Sequence, residues 1–320
     1  MKALVTGATG FIGSYLAEAL LKRGYEVTCI ARSTSSLRWI EHLDLKYIHC
    51  DLADVDRCAD HVRGFDYIFH LAGRTKATKE EEFFTANAVC TGNLARVAAE
   101  RNPGLSRFVY VSSLAAAGPS SSGMPLKEDC RPMPVSFYGK SKLEGEKSVL
   151  RFRHRIPVTI VRPPAVYGPR DNDFLVMFRM VKKGIFPYWG KGLYSMLYVE
   201  DLVTGIILSA EKKEAEDKTF FLSDEMVYTS DDIIGEISAA LEAKPLRIRL
   251  PRSLMPFFAF LGEKMSKKSI INSDKARELR FSNWTCDAGK ARSELGFSAR
   301  TSLMEGVKWT ADWYKIHRWL

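Results

Sequence analysis

The first half of the chain alternates between short apolar runs and segments of helical periodicity. Apolar, β-branched and aromatic residues dominate six runs, at 2–7, 26–32, 46–51, 66–73, 107–113 and 158–163. Segments such as 14–24 and 87–102 lie between them, and their apolar residues recur at helical spacing. Near-continuously apolar strands that alternate with helices form parallel sheets covered on both faces. The pattern predicts an α/β fold with a doubly wound parallel sheet.

The alternation becomes less regular after Pro164. A strand and a helix return at 197–213, and another strand follows at 219–223. We therefore predict a nucleotide-binding domain at 1–165, to which about 200–225 returns. Residues 166–195 and 226–320 are predicted to form a smaller mixed substrate-binding cap. This cap should lie over the carboxyl ends of the strands, where open parallel sheets bind ligands.

Three glycines lie between the first strand and the first helix, in the sequence TGATGFIG at 6–13. Gly7 permits the tight turn, Gly10 allows close approach of a diphosphate, and Gly13 allows the helix to pack closely. A tight turn without a ligand would also explain three glycines, but their place in a βαβ unit favours dinucleotide binding of Rossmann type. The residues expected to contact the cofactor in this turn are Gly7, Thr9, Gly10, Phe11, Ile12 and Gly13.

Composition excludes several other classes of protein. The net charge of +9 includes a basic run at 151–155, but this run falls where a helix should end, and no nucleic-acid module accompanies it. Six cysteines and six histidines lack metal-ligand spacing, so we expect reduced, buried thiols and no metal. The strand pattern starts at Lys2, and the apolar stretch 254–262 is too short to cross a bilayer. We expect a cytoplasmic protein that binds no nucleic acid and does not insert stably into membranes.

Two later motifs join the glycine turn. The first, VYVSS, contains Ser113, and the second, FYGKSK, contains Tyr138 and Lys142, which lie four residues apart on one helix face. With TGATGFIG they resemble the extended branch of the short-chain dehydrogenase/reductase superfamily, in which epimerases, dehydratases and reductases bind a nicotinamide cofactor. Tyr138 would act as acid or base, Ser113 would hold the reacting oxygen, and Lys142 would lower the pKa of Tyr138 and bind the cofactor ribose.

The resemblance covers essentially the whole chain. The segments HLAG, NAVCTGN, RPPAVYGP and LYVEDL all resemble family motifs, and Asn87 resembles the asparagine that opens a family helix. The resemblance implies further cofactor contacts from Asp51, Leu52, Leu71, Ala72, Gly73, Asn87, Tyr138, Lys142 and Pro163. It also implies a homodimer formed through helices around 87–100 and 138–153.

The second strand ends in Ala31-Arg32-Ser33, where relatives that prefer NAD usually carry an acidic residue. A guanidinium suits a 2′-phosphate, whereas a carboxylate would repel it. We therefore predict NADP as the cofactor, with NAD as the alternative. Arg32 could instead stack on adenine or face water.

The substrate is narrowed by departures from family patterns. Leu114 and Ala115 follow Ser113, where sugar dehydratases carry an acidic pair, and Tyr194 and Ala165 replace an arginine and an asparagine common in nucleotide-sugar enzymes. The chain is more similar to the steroid-dehydrogenase-like and dihydroflavonol-reductase-like group. We predict an alcohol dehydrogenase or ketone reductase for a bulky, apolar small molecule. The alternatives are a nucleotide-sugar 4-epimerase and a non-catalytic NADP-binding protein.

Overall fold

A computed structural model describes residues 1–121, 123–251, 254 and 273–320. Its main sheet has seven strands, all parallel, in the order β3-β2-β1-β4-β5-β6-β11. The strands are β1 (Lys2–Thr6), β2 (Glu26–Ala31), β3 (Lys46–His49), β4 (Tyr67–His70), β5 (Arg107–Val111), β6 (Val158–Arg162) and β11 (Lys218–Phe221). The order reverses between β1 and β4, which places a ligand crevice at the carboxyl ends of these strands. The predicted doubly wound sheet is confirmed.

Helical segments cover both faces of this sheet. They are α1 (Phe11–Lys22), a 3₁₀ segment (Leu52–Val62), α2 (Glu80–Phe84), a π turn (Thr85–Val89), α3 (Cys90–Arg101), α4 (Leu114–Ala117), α5 (Phe137–Leu150), α7 (Val199–Glu211) and a 3₁₀ turn (Lys213–Ala215). Neighbouring residues of a strand belong to different cores: Val5 packs with Leu16 on one face, and Leu4 packs with Leu94 on the other. This alternation follows from the two-residue period of a strand.

The remaining elements build a smaller mixed part. They are β7 (Ala165–Tyr167), α6 (Asp173–Lys182), β8 (Ile185–Tyr188), β9 (Leu193–Tyr194), β10 (Met196–Tyr198), β12 (Tyr228–Thr229), α8 (Ser230–Leu241), β13 (Leu246–Arg249), α9 (Ser273–Leu279), β14 (Asn283–Trp284), α10 (Gly289–Leu295) and α11 (Leu303–Ile316). Small sheets pair β10 with β7, β13 with β8, and β9 with both β12 and β14. A third apolar core includes Phe178, Ile237 and Tyr314. Apart from Leu254, the apolar stretch 254–262 lies outside the described residues.

The prediction of six reduced and buried thiols is wrong at three positions. Cys50 and Cys58 form a disulfide, and Cys130 is exposed. Cys50 lies between β3 and the 3₁₀ segment that contains Cys58, and the two α-carbons are 6.4 Å apart. A separation of eight residues matches no familiar spacing, so the sequence carried no signal for this pairing.

The basic run 151–155 directly follows α5, as predicted from its place at a helix end. Within the described parts of the chain, no helix is both long enough and apolar enough to cross a membrane.

Candidate active site

The glycine turn joins β1 to α1 at the centre of the sheet. Gly7 has φ of +75°, a conformation that only glycine adopts readily. A Cβ on Gly7 would lie 2.7 Å from the amide nitrogen of Ala72, and one on Gly13 would lie 2.1 Å from the carbonyl oxygen of Gly7. A Cβ on Gly10 would lie 3.3 Å from that same oxygen. Gly7 and Gly13 are therefore demanded by the fold itself, independently of any ligand.

The N-terminus of α1 is free to receive an anion. Its N-cap, Gly10, offers no side-chain hydrogen bond, and the first turn contains no acidic residue. Thr9, Phe11 and Ile12 are partly exposed at the same end of the helix. Amides without intrahelical partners and the positive end of the helix dipole suit a diphosphate. The turn thus fits the dinucleotide that its sequence predicted.

Arg32 and Asp51 follow the adjacent strands β2 and β3. Both side chains act on the buried thiol of Cys90, whose pKa is raised by burial, raised by Asp51 and lowered by Arg32. Asp51 caps the 3₁₀ segment by accepting a 3.0 Å hydrogen bond from the amide of Ala53, and Leu52 is buried beside it. The two charged residues therefore lie at one end of the crevice, on the side where the adenosine of a dinucleotide would bind.

Asn87 joins the segment after β4 to the helix that carries Tyr138. Its side chain accepts a 2.7 Å hydrogen bond from the amide of Arg74 and donates one of 2.8 Å to Ser141 Oγ. A Cβ on Gly73 would lie 2.6 Å from Asn87 Oδ1. The resemblance implied that Asn87 opens a helix. Instead, Asn87 lies in the π turn between α2 and α3. Such turns recur at functional sites.

The segment 71–73, which follows β4, bonds to the end of β1 beside the glycine turn. The amide of Ala72 donates a 3.2 Å hydrogen bond to Thr6 Oγ1, and Leu71 N bonds the carbonyl of Thr6 at 3.2 Å. Leu71 and Ala72 are partly exposed, whereas Gly73 is exposed. Residues 71–73 therefore line the same crevice as the glycine turn.

Ser113 and Tyr138 meet beyond the end of β5. Ser113 is the N-cap of α4, where its Oγ accepts a 3.1 Å hydrogen bond from the amide of Ala115. The carbonyl oxygen of Pro163 accepts a 2.8 Å bond from the amide of Leu114, which places Pro163 beside this turn. The hydroxyl of Ser113 acts on the phenol of Tyr138 and lowers its pKa. The two predicted hydroxyls therefore lie near each other.

Lys142 lies one turn after Tyr138 and is only 4% exposed. Its Nζ donates a 2.6 Å hydrogen bond to the carbonyl of Val111 and lies 4.3 Å from the ring centre of Tyr110. Burial lowers the pKa of Lys142 to about 7, and the carboxylate of Glu146 acts in the opposite direction. The ammonium is therefore held under the site by a main-chain acceptor and the face of an aromatic ring.

The phenol of Tyr138 is affected by charges that the sequence did not reveal. The pKa of Tyr138 is raised to about 12, chiefly by burial; Glu278 and Asp173 also raise it, while Ser113 and Lys275 lower it. Lys275 and Glu278 belong to α9, far along the chain and in no recognisable motif. Sequence reasoning missed them because only the fold brings α9 over α5.

A buried polar layer lies under the site. His70 bonds Thr6 Oγ1 at 2.7 Å and Thr91 Oγ1 at 2.8 Å, and burial lowers the pKa of its ring to about 3, so that it is neutral. Deeper in the sheet, Glu146 pairs with Arg162 at 2.6 Å, with both side chains almost fully buried. Glu146 lies four residues after Lys142, so helical spacing could have identified it. His70 carried no comparable signal.

The fold and the crevice define a class of protein. A doubly wound parallel sheet whose first βα turn is glycine-rich and open to an anion is the architecture of dinucleotide-dependent enzymes. The chain belongs to the NAD dependent epimerase/dehydratase family, whose model matches residues 3–222. The resemblance to the extended short-chain dehydrogenases/reductases is confirmed, and the protein is an NAD(P)-dependent oxidoreductase or epimerase.

Individual relatives align along nearly the whole chain. A ceramide reductase from Caulobacter vibrioides is 31% identical over 99% of this chain and 95% of its own length. A UDP-glucose 4-epimerase from Vibrio cholerae is 26% identical over 97% of this chain and 94% of its own. The crystal structure of gox2253 superposes with a TM-score of 0.83 at 26% identity, covering 98% of both chains. Reductases and epimerases both occur among the relatives.

Proposed function

We propose that the protein is an NADP-dependent alcohol dehydrogenase or ketone reductase that acts on a bulky, apolar substrate through Ser113, Tyr138 and Lys142. The observation that carries this proposal is the meeting of these three residues at the carboxyl end of β5. The Ser113 hydroxyl acts on the phenol of Tyr138, and Lys142 lies one helical turn after Tyr138.

Each residue has a defined task. Bound NADPH would supply the hydride. The phenol of Tyr138 donates a proton to the carbonyl oxygen of the substrate, and Ser113 donates a hydrogen bond to the same oxygen. Because burial raises the pKa of Tyr138 to about 12, the phenol is protonated at neutral pH, as reduction requires. Lys142 binds the cofactor ribose, and its charged form, which predominates below about pH 7, favours the phenolate when the reaction runs as oxidation.

The proposed cofactor contacts lie along the crevice and can be assigned to the diphosphate, the nicotinamide and the adenine in turn. The turn of Gly7, Gly10 and Gly13 receives the diphosphate, and Leu71, Ala72, Gly73 and Pro163 line the path toward the nicotinamide. Asp51 and Leu52 lie at the adenine. Arg32 is exposed directly after β2 and forms no ion pair with the described residues, so its guanidinium is available to a 2′-phosphate. This supports NADP over NAD.

The surroundings of Ser113 support reduction over elimination. Leu114 and Ala115 are 3% and 7% exposed and carry no acid or base group. The name of the Caulobacter relative, a ceramide reductase, supports an apolar, lipid-like substrate for this chain as well.

A nucleotide-sugar 4-epimerase is the second candidate, favoured by one feature of the smaller part. A solvent-open pocket of about 550 Å³ at the ends of β8 and β13 is lined by Trp189, Lys191 and Arg249, among others, and two cations beside an indole suit a nucleotide diphosphate. Arg170 and Arg292, which could also bind a phosphate, form ion pairs with Glu18 and Glu225. The UDP-glucose 4-epimerase relative keeps this alternative open.

One experiment separates the candidates. Purified protein is incubated with NADPH and a panel of long-chain, polycyclic and aromatic ketones, including a ketone analogue of ceramide, and separately with UDP-glucose. We expect NADPH oxidation with apolar ketones that Tyr138→Phe abolishes. Epimerisation of UDP-glucose without net cofactor turnover would support the second candidate. Tight NADPH binding without any turnover would indicate a non-catalytic protein.

Two features of organisation complete the proposal. Residues 1–165 with about 200–225 form the nucleotide-binding domain, and 166–195 with 226–320 form the cap.

The protein is a homodimer through the helices around 87–100 and 138–153, which pack side by side: a Cβ on Gly92 would lie 3.3 Å from Ser148 Cβ. Val89, 54% exposed beside them, offers an apolar contact. Light scattering should give a dimer for the wild type and a monomer for Val89→Asp.

A further inference from the structure

Helix α9 supplies an anion to the N-terminus of the helix that carries Tyr138. The carboxylate of Asp274 accepts hydrogen bonds from the amides of Phe137, at 2.7 Å, and Tyr138, at 3.0 Å. These are the first two amides of α5, which have no partner inside their own helix. The acceptor comes from a residue 136 positions away in the chain, whereas most helices are capped locally.

The next turn of α9 holds the N-cap of the same helix. Glu278, four residues after Asp274, accepts a 2.7 Å hydrogen bond from Ser136 Oγ. That hydroxyl in turn accepts a 3.0 Å bond from the amide of Gly139. The first three amides of α5 are thus fixed by α9, two directly and one through Ser136.

The two carboxylates of this arrangement are largely buried, and their cationic neighbours are partly exposed. The side chains of Asp274 and Glu278 are each 10% exposed, and Lys275 Nζ lies 2.7 Å from Glu278. The guanidinium of Arg277 stacks 3.9 Å from the ring centre of Phe137. Charge-assisted hydrogen bonds in such surroundings are stronger than neutral ones. The position of Tyr138 therefore depends on where α9 lies.

The same helix also contributes charges near the phenol. The groups that act on Tyr138 are Glu278 and Lys275 from α9, Asp173 from α6, which pairs with Lys76, and the Ser113 hydroxyl. Lys142 and Glu146 lie on its own helix. Glu278 and Asp173 raise the pKa of the phenol, and Lys275 lowers it. Two residues of one helix therefore act on the phenol in opposite directions.

We propose that Asp274 and Glu278 are positioning residues through which the predicted cap holds Tyr138 in place, and that the Lys275–Glu278 ion pair, 2.7 Å apart and bonded through Glu278 to the N-cap Ser136, sets the local charge around the phenol. This inference rests on the proposed role of Tyr138 as the proton donor. It assigns to α9 a part in the reaction besides any contact with the substrate.

The test compares three variants with a matched helix cap. Asp274→Asn removes the double acceptor, while Glu278→Gln and Lys275→Gln remove one charge each. Asp232→Asn is the control, because Asp232 caps α8 by accepting bonds from Thr229 N and Oγ1 and lies outside the site. Alcohol oxidation is measured against pH, and the phenol of Tyr138 is titrated by its 295 nm absorbance against Tyr138→Phe in the absence of substrate.

We expect kcat to fall on the order of tenfold in Asp274→Asn, with KM for the cofactor unchanged, because a displaced acid costs rate rather than cofactor affinity. In Glu278→Gln the rising limb of kcat for alcohol oxidation, which reports formation of the phenolate, and the 295 nm titration should both move to lower pH. In Lys275→Gln both should move to higher pH, by roughly one unit. A residue that served only stability would lower the melting temperature, as in Asp232→Asn, without moving either curve.

The outcomes distinguish the two proposals. If Asp274→Asn matches Asp232→Asn in kcat, or if Glu278→Gln and Lys275→Gln shift the titration in the same direction or not at all, the inference about α9 is wrong. If Tyr138→Phe keeps full activity, the proposed function is wrong, and the absorbance titration still reports whether α9 sets the charge around the phenol.

Discussion

Asn87 donates a 2.8 Å hydrogen bond to Ser141, the residue directly before Lys142. This one contact ties the strand-end segment at Arg74 to the helix that carries the lysine, because the same side chain also bonds both the amide and the carbonyl of Arg74. Asn87 is fully buried, so each of these bonds is made in surroundings where an unpaired polar group is costly.

Asn87→Ala should therefore weaken both the fold and the site. Loss of these bonds leaves the main-chain groups of Arg74 and the hydroxyl of Ser141 without that partner, which costs about 1–3 kcal/mol of unfolding free energy. We expect lower kcat and weaker cofactor binding as well, measured by turnover and by quenching of protein fluorescence. Asn93→Ala is the control, because Asn93 makes only long bonds of 3.5 Å. Equal stability and kcat in the two variants would contradict this role.

Gly13→Ala should disrupt the cofactor turn. The new Cβ would lie 2.1 Å from the carbonyl oxygen of Gly7, so the turn or the helix must shift, at a cost of about 1–3 kcal/mol. We expect the Kd for NADPH to rise at least tenfold in a calorimetric titration. Gly235→Ala is the matched change within a helix, since no atom lies within 4 Å of its added Cβ. Gly235→Ala should raise the free energy of unfolding by roughly 0.5–1 kcal/mol and keep the wild-type Kd for NADPH.

Because of Lys142, the free energy of unfolding should depend on pH above about pH 7. The pKa of Lys142 is lowered by burial from 10.5 to about 7, so between these values the unfolded chain binds a proton that the folded chain releases. The free energy of unfolding should therefore rise with pH across this window, by at most about 1.4 kcal/mol per unit. Below pH 7 both states are protonated, and the contribution no longer changes.

Urea unfolding at pH 7, 8 and 9 tests this dependence. The rise seen for the wild type should be absent in Lys142→Met and present in Lys140→Met, because Lys140 lies exposed on the same helix. Identical slopes for both variants would show that Lys142 is not the group responsible.

Arg32→Asp should reverse the cofactor preference. The carboxylate would repel a 2′-phosphate and accept hydrogen bonds from a 2′-hydroxyl, so the ratio of kcat/KM for NADPH to that for NADH should fall at least tenfold. Arg38→Asp changes the net charge equally and provides the control, since the guanidinium of Arg38 stacks 4.4 Å from the ring centre of Trp39. An unchanged ratio in Arg32→Asp would defeat the assignment of NADP.

The sequence predicted the parts of the site that depend on local spacing. The six strands of the first half, the glycine turn and the separation of Tyr138 from Lys142 follow from periods of two and 3.6 residues and from the steric needs of glycine. Ser113 was predicted from the resemblance together with its place after a strand. The contact of its side chain with Tyr138 lies between residues 25 positions apart and needed the structure.

The sequence did not predict contacts between distant segments. The disulfide of Cys50 with Cys58, the neutral His70 and the pairing of Glu146 with Arg162 depend on how strands and helices pack, and their residue types occur in many other roles. Asp274, Lys275 and Glu278 are surface-like residues in a short charged helix, and their spacing alone would indicate a solvated face.

The sequence by itself determined that this chain forms a parallel sheet with a dinucleotide turn and carries a tyrosine and a lysine on one helix face, because these features are encoded within a few residues of one another. Only the tertiary structure decided which charges surround that tyrosine. The free energy of a buried charge depends on every group within a few ångströms, and for Tyr138 those groups come from α4, α6 and α9.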